Sequence, residues 1–114
     1  MSNFDIVSKL FHEHIEYLSL SADAIADVCD TAAAHIANTI VSEKKVFSIG
    51  VGLDSSTALS FYQLIRDGVW LERPSLPIIE LTSTRAEPTA AGVSWVTREL
   101  NNLGQPGDVA VVWG

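Results

Sequence analysis

The sequence predicts an α/β protein in which a pair of amino-terminal helices precedes a parallel sheet of about three strands. Two observations support this class. Apolar residues recur every three or four positions through residues 1–43, and short β-rich runs then alternate with helical patterns. Two of those runs lack polar alternation, which is typical of parallel strands covered by helices on both faces. A chain of 114 residues, 47% of them hydrophobic, is long enough for one domain with a core.

The amino-terminal region carries two apolar stripes at helical spacing. The first consists of Phe4, Val7, Leu10, Phe11, Ile15 and Leu18, and the second of Ile25, Val28, Ala32, Ile36 and Ile40. Ser2 or Asn3 is suited to cap the first helix, with Asp5 near the positive end of its dipole. Because the phase of the stripe shifts between them, we expect a break within 20–27, with one kinked helix as the alternative.

The pattern changes after residue 45. A β-rich run, Val46 to Ile49, ends in Gly50-Val51-Gly52 and leads into a helical pattern over 58–65, as at the start of a βαβ unit. The second and third strands are predicted at Ile78–Leu81 and Val109–Trp113. Between them, Thr82–Thr89 is predicted as a polar loop and the spacing of Val93, Val96 and Leu100 predicts a further helix.

Composition excludes several classes of function. The net charge of −7 is spread along the chain, which argues against nucleic acid or an anionic membrane as a direct partner. The start of the chain lacks the pattern of a signal peptide, and no apolar run is long enough to span a membrane, so we expect a cytoplasmic protein. A single cysteine, Cys29, excludes an intrachain disulfide framework and a multi-cysteine metal site.

The loop after the first strand is the candidate binding site. It consists of Gly50, Val51, Gly52, Leu53, Asp54, Ser55 and Ser56. A turn from a strand into a helix presents free backbone N–H groups, and neighbouring hydroxyls suit a phosphate. Ser55 and Ser56 serve equally well as helix caps, so both interpretations stay open. The carboxylate of Asp54 argues against phosphate, since it repels a dianion.

The other ligand-type residues predict no metal site, cofactor or catalytic group. His12 and His14 are two apart on a helix and so face different directions, and His35 stands alone. Asp23, Asp27 and Asp30 are most simply a solvated helix face. Cys29 has no basic neighbour in sequence to activate its thiol.

Several runs resemble the sugar isomerase (SIS) domain. They are Val46 to Gly52, Ser55 to Phe61, Glu72 to Leu81 and Leu103 to Val109. Glu72-Arg73-Pro74-Ser75-Leu76-Pro77 is similar to the branch that contains phosphoheptose isomerase and the DnaA initiator-associating protein DiaA. The resemblance implies a flavodoxin-like αβα fold, with residues 1–43 as a helical hairpin used in oligomerisation and residues 44–114 as a partial SIS domain.

The chain differs from the family in the loop after the first strand and at the positions of the isomerases' histidine and catalytic glutamate. The family's Gly-Asn-Gly-x-Ser is here Gly50-Val51-Gly52-Leu53-Asp54, and the histidine and catalytic glutamate of the isomerases are replaced by Ser60 and Leu64. The family's second phosphate loop would follow Trp113-Gly114, and its carboxyl-terminal helix has no counterpart, so we expect a truncated domain. The outer edge of the third strand should then be covered by another copy or another chain.

The resemblance implies three alternative functions. The first is a catalytically inactive, DiaA-like protein that binds a DnaA-type initiator and assembles as a dimer or tetramer. The second is a fragment of a phosphoheptose (sedoheptulose 7-phosphate) isomerase, a ketose–aldose isomerase of phosphosugars, and the third is a structural remnant without a ligand. A sugar phosphate is the implied small molecule, and no cofactor is expected.

Overall fold

The computed structural model describes residues 2–69, 72–83 and 90–114. Its elements are helix α1 (Asn3–Val41), strand β1 (Val46–Val51), a 3-10 turn (Gly52–Asp54), helix α2 (Ser55–Asp67), strand β2 (Ile78–Ser83), helix α3 (Ala90–Leu103) and strand β3 (Val109–Trp113). The chain divides into two compact units, Met1–Ala34 and His35–Gly114. The domain boundary expected after residue 43 stays a prediction.

A single helix occupies the region for which the sequence predicts a hairpin. The break expected within 20–27 is wrong, because α1 is continuous from Asn3 to Val41. No glycine or proline lies within those bounds. Ser19, Ser21 and Asp23 each lower helix propensity by only a few tenths of a kcal/mol, roughly, which does not end a helix.

The start of α1 is capped as the sequence predicts. Ser2 Oγ accepts a hydrogen bond from the Asp5 N–H at 3.2 Å, and Asp5 Oδ2 accepts one from the Ser2 N–H at 3.2 Å. This reciprocal pair is a capping box. Within the described ranges, no helix combines the length and the apolarity needed to cross a bilayer.

In the described part of the chain, three parallel strands form one sheet in the order β2-β1-β3. Val46 pairs with Ile78 and Val109 at the amino ends of the strands, and Gly50 pairs with Thr82 and Trp113 near their carboxyl ends. The predicted parallel sheet is therefore confirmed, with β1 and β2 each longer than predicted. The polar loop expected at Thr82–Thr89 falls largely on residues 84–89, outside the described ranges.

Helices cover the two faces of the sheet. The β1–α2–β2 and β2–α3–β3 connections run in opposite directions across the sheet, so right-handed crossovers place α2 and α3 on opposite faces. On the α3 face, Val96 is buried in a cluster with Phe47, Ile49 and Leu81. On the α2 face, Ala58 is fully buried. This is the αβα arrangement that the fold class predicts.

An ion pair joins the amino ends of β1 and β3. Lys45 Nζ lies 2.6 Å from Asp108 Oδ2, and the Lys45 N–H donates to Asp108 Oδ1 at 3.0 Å. The Gln105 N–H donates to Asp108 Oδ2 at 2.8 Å. The Lys45 ammonium is the largest cause, ahead of the two backbone N–H groups, that lowers the pKa of Asp108 to about 2.

Arg73 caps the carboxyl end of α2. Its guanidinium donates to the backbone carbonyls of Leu64, Ile65 and Arg66, all in the last turn of the helix. Carbonyls at a helix end lack intrahelical donors, and a cation there also complements the helix dipole. This contact gives a structural reason for the arginine in the run Glu72-Arg73-Pro74.

Candidate functional site

The predicted binding loop begins at the carboxyl end of β1, the central strand. The chain passes from β1 to β2 on one side and then to β3 on the other, so the strand order reverses between β1 and β3. In open parallel α/β sheets, ligands bind outside the carboxyl ends of the strands at such a point. The loop therefore lies where this class of fold places a ligand.

Two glycines determine the path of the loop. A Cβ added to Gly50 would lie 2.8 Å from the Ala58 Cβ and would also overlap the backbone carbonyl of Asp54. Gly52 has a φ of 69°, in the region that favours glycine. The requirement at Gly50 comes from the packing of α2 against β1, and the requirement at Gly52 comes from the conformation of the turn. Both hold whether or not the loop binds a ligand.

The two serine hydroxyls of the loop donate hydrogen bonds within it. Ser55 Oγ donates to the Gly52 carbonyl at 2.8 Å, and Ser56 Oγ donates to the Leu53 carbonyl at 3.4 Å. A hydroxyl has one proton, so in this state both serines offer a ligand only acceptor lone pairs. Neither serine is the N-cap of α2, since Asp54 holds that position.

Asp54 places a carboxylate at the amino end of α2. Its side chain makes no capping hydrogen bond. A Cβ built on Gly114 would lie 3.7 Å from Asp54 Oδ2, so the carboxylate is close to the residue that follows β3. A negative charge here interacts favourably with the helix dipole and disfavours a phosphate at the same position.

The structure brings the whole predicted set, Gly50 to Ser56, into one turn. Asp54, Ser55 and Ser56 supply its polar side chains. Val51 packs against the core cluster and Leu53 is 81% exposed, so neither side chain adds a polar group. The loop thus offers one carboxylate, two hydroxyl oxygens and the amides at the start of α2.

The positions that the family resemblance makes catalytic lie farther along α2. Ser60 and Leu64 are four residues apart and so share a helix face. Both are exposed, Leu64 at 49%. Neither side chain can act as a general base at neutral pH.

The histidines and the cysteine lie on α1. His12 Nδ1 is 2.7 Å from the Ser8 carbonyl, one helical turn earlier. Cys29 is an exposed free thiol. In the part of the chain that the structure describes, no group of three or more histidine, cysteine, aspartate or glutamate side chains could hold a metal ion.

Sequence reasoning missed two residues that contact the segment following the loop. Ser48 is fully buried in β1, where its Oγ donates to the Ala58 carbonyl at 2.7 Å. Trp113 Nε1 donates to the same Ser48 Oγ at 3.3 Å, and the Trp113 ring lies 5.2 Å from that of Phe61. The available signal was a serine within an otherwise apolar strand.

The chain is similar to curated proteins of two kinds. A phosphoheptose isomerase of Methylococcus capsulatus is 25% identical over 118 residues, which cover 99% of this chain and 60% of that protein. DnaA initiator-associating proteins DiaA of Erwinia tasmaniensis and Photorhabdus laumondii are 30% and 28% identical, over 90% and 92% of this chain and 55% and 56% of those proteins.

These similarities extend through nearly the whole chain. The chain spans 55 to 60% of the length of the relatives. No protein-family model matches it. The relatives carry the same two names as the branch that the sequence motifs resemble, so the resemblance is confirmed.

Proposed function

We propose that this chain, a relative of the SIS-domain phosphoheptose isomerases and DiaA proteins, works by binding and assembly and does not catalyse isomerisation. The observation that carries the proposal is the chemistry of α2. Exchange of a proton between adjacent carbons of a sugar needs a general base. Ser60 and Leu64 occupy the positions that the resemblance assigns to a histidine and to the catalytic glutamate, and neither side chain supplies a general base.

The candidate loop supports the same proposal. Asp54 replaces a hydroxyl with a carboxylate at the amino end of α2, and both serine protons are donated within the loop. A sugar phosphate, the small molecule that the family suggests, would meet electrostatic repulsion there. We therefore expect weak binding of a phosphosugar and a scaffold role for the loop.

Self-association is the assembly that the exposed surface of α1 favours. The first apolar stripe is solvent-exposed: Phe4 79%, Val7 50%, Leu10 60%, Phe11 65%, Ile15 59% and Leu18 51%. Side chains of this size on one helix face are typical of a protein interface. The proposed occupant is a second copy of the chain, in a cytoplasmic dimer or tetramer.

The edge of the sheet offers a second surface for assembly. In the described residues β3 is an edge strand, and Val112 on it is 70% exposed. β3 carries none of the lysine or proline residues that commonly protect an edge from pairing.

A DnaA-type initiator protein is the partner that the DiaA relatives suggest.

An isomerase assay tests the proposal directly. Purified protein is incubated with sedoheptulose 7-phosphate, and formation of the aldose is followed by a coupled enzyme. We expect no turnover above the rate without protein. Turnover that is lost in Ser55→Ala would contradict the proposal and favour the second candidate, a piece of a phosphoheptose isomerase, which the isomerase names among the relatives support.

A binding assay tests the partner. The chain is immobilised and a purified DnaA-type initiator is passed over it, with an unrelated acidic protein of similar size as the control surface. Specific retention of the initiator supports the DiaA-like role. Absence of retention at micromolar concentration would contradict that role and leave self-association as the function.

A further inference from the structure

We propose that Ser48 and Trp113 are positioning residues for the candidate loop: their hydrogen bond fixes the first turns of α2 relative to the carboxyl end of β3. The inference takes the loop as the candidate binding site described above and rests on the proposed function in no other respect.

Ser48 is at the centre of the arrangement. It is fully buried in the central strand, and its hydroxyl has one proton to donate. That proton goes to the Ala58 carbonyl at 2.7 Å, and a lone pair of the same oxygen accepts from Trp113 Nε1 at 3.3 Å. One hydroxyl thus joins three elements, β1, α2 and β3.

Ala58 makes two contacts with β1, one through its carbonyl and one through its methyl group. Besides the hydrogen bond from Ser48, its methyl group lies against Gly50, where an added Cβ would approach to 2.8 Å. Gly50 is the register partner of Trp113. The start of α2, the end of β1 and the end of β3 therefore meet around a single helical turn.

Trp113 connects this point to the outer part of α2. Its ring lies 5.2 Å from that of Phe61, at an angle of 59° between the ring planes. The tilted packing holds the indole in place so that its N–H is directed at Ser48. Asp54 lies at the amino end of α2, and a Cβ built on Gly114, which follows β3, would lie 3.7 Å from Asp54 Oδ2. The contacts of Ser48 and Trp113 therefore fix the separation of the two chain segments beside which a ligand would bind.

Hydrogen exchange of the whole chain tests the inference. The variants are Ser48→Ala, Trp113→Phe and the double variant. Trp113→Phe keeps an aromatic ring beside Phe61 and removes the N–H donor together with part of the indole ring system. Thr39→Val is the matched control, since it removes another buried hydroxyl, one that donates to the His35 carbonyl in α1. Amide exchange is measured for residues 52–58 and for β2.

We expect each single variant to speed exchange in residues 52–58 about fivefold, the effect of losing one hydrogen bond. The exchange rates of the β2 amides should change only as far as the global stability changes. In the double variant, exchange in residues 52–58 should be little faster than in the faster of the two single variants. Uniform acceleration across the sheet, or additive effects of the two substitutions, would overturn the inference.

A ligand titration separates this inference from the proposed function. Inorganic phosphate and sedoheptulose 7-phosphate are added to the wild type and to each variant. If neither ligand slows exchange in the wild-type loop, the assignment of the loop as a binding site fails, while the exchange pattern still decides the positioning role. If a ligand binds, its affinity should fall in Ser48→Ala and Trp113→Phe and stay unchanged in Thr39→Val.

Discussion

Asp108 shows how one side chain can join two strands that are far apart in sequence. Its carboxylate is 7% exposed and receives the Lys45 ammonium and two backbone N–H groups. These contacts favour the charged form, which is why its pKa is lowered to about 2. The unfolded chain binds this proton at a pKa of about 3.9.

The sign of the resulting pH dependence follows from linkage. Because the folded pKa lies below the unfolded one, the stabilisation is present above pH 4 and is lost as the pH falls toward 2. We expect Asp108→Asn to lower the thermal midpoint at pH 7, and the difference from the wild type to become small as the pH falls to about 2. Asp67→Asn, at the end of α2, is the control. If Asp108→Asn lowers the thermal midpoint equally at both pH values, the charge of Asp108 is not the cause of the stabilisation.

Asp54 is the residue whose substitution we expect to change ligand affinity most clearly. Asp54→Ser removes the negative charge and keeps a residue suited to the N-cap. We expect the affinity for inorganic phosphate or a sugar phosphate to rise at least about tenfold, because a repulsive charge leaves the site. Thermal shift at millimolar ligand measures it.

The control for this prediction also removes one negative charge, but at a different position. Asp67→Ser alters the net charge equally, at the other end of α2. If it raises phosphate affinity as much as Asp54→Ser does, the effect is one of net charge and not of the loop. If neither variant binds, the loop is not a phosphate site even without its carboxylate.

The carboxyl end of α2 depends on a cap that the sequence pattern does not reveal. Arg73 donates to carbonyls of α2 from the segment that precedes β2. We expect Arg73→Ala to cost about 1 kcal/mol in the free energy of unfolding by urea, since charge-assisted bonds at the helix end are lost. Arg66→Ala, which loses a surface hydrogen bond to Tyr62, should cost less than about 0.5 kcal/mol. Equal costs would show that Arg73 contributes only its charge.

The elements differ in how far the sequence predicts them. The strands were predictable because apolar β-rich runs and glycine turns are local signals, as at Val46 and Val109. The continuity of α1 was not, because a phase shift of the apolar stripe around Ser21 resembles a break when no partner surface is known. The loop was located from Gly50 and Gly52, whereas Ser48 and Trp113 meet only through the register of β1 and β3.

At the scale of the whole molecule, the apolar stripe of α1 predicts association. We expect sedimentation velocity at low micromolar concentration to show a dimer or tetramer. Phe11→Glu should shift the population toward monomer, because it places a charge within the stripe. Leu20→Glu is the control, since Leu20 is 77% exposed and lies away from the stripe. A well-folded wild-type monomer at that concentration would contradict the proposed assembly.

The strand order β2-β1-β3 also has a consequence for synthesis on the ribosome. β1 is synthesised before the other two strands, yet one of its edges pairs with β3. Val46 therefore has no partner on that edge until Val109 has emerged from the ribosome. Contacts separated this far along the chain form slowly, because a long loop must close before they contribute. Until Trp113 has left the exit tunnel, one edge of β1 is unpaired, and this is the interval in which the nascent chain is most exposed to misassociation.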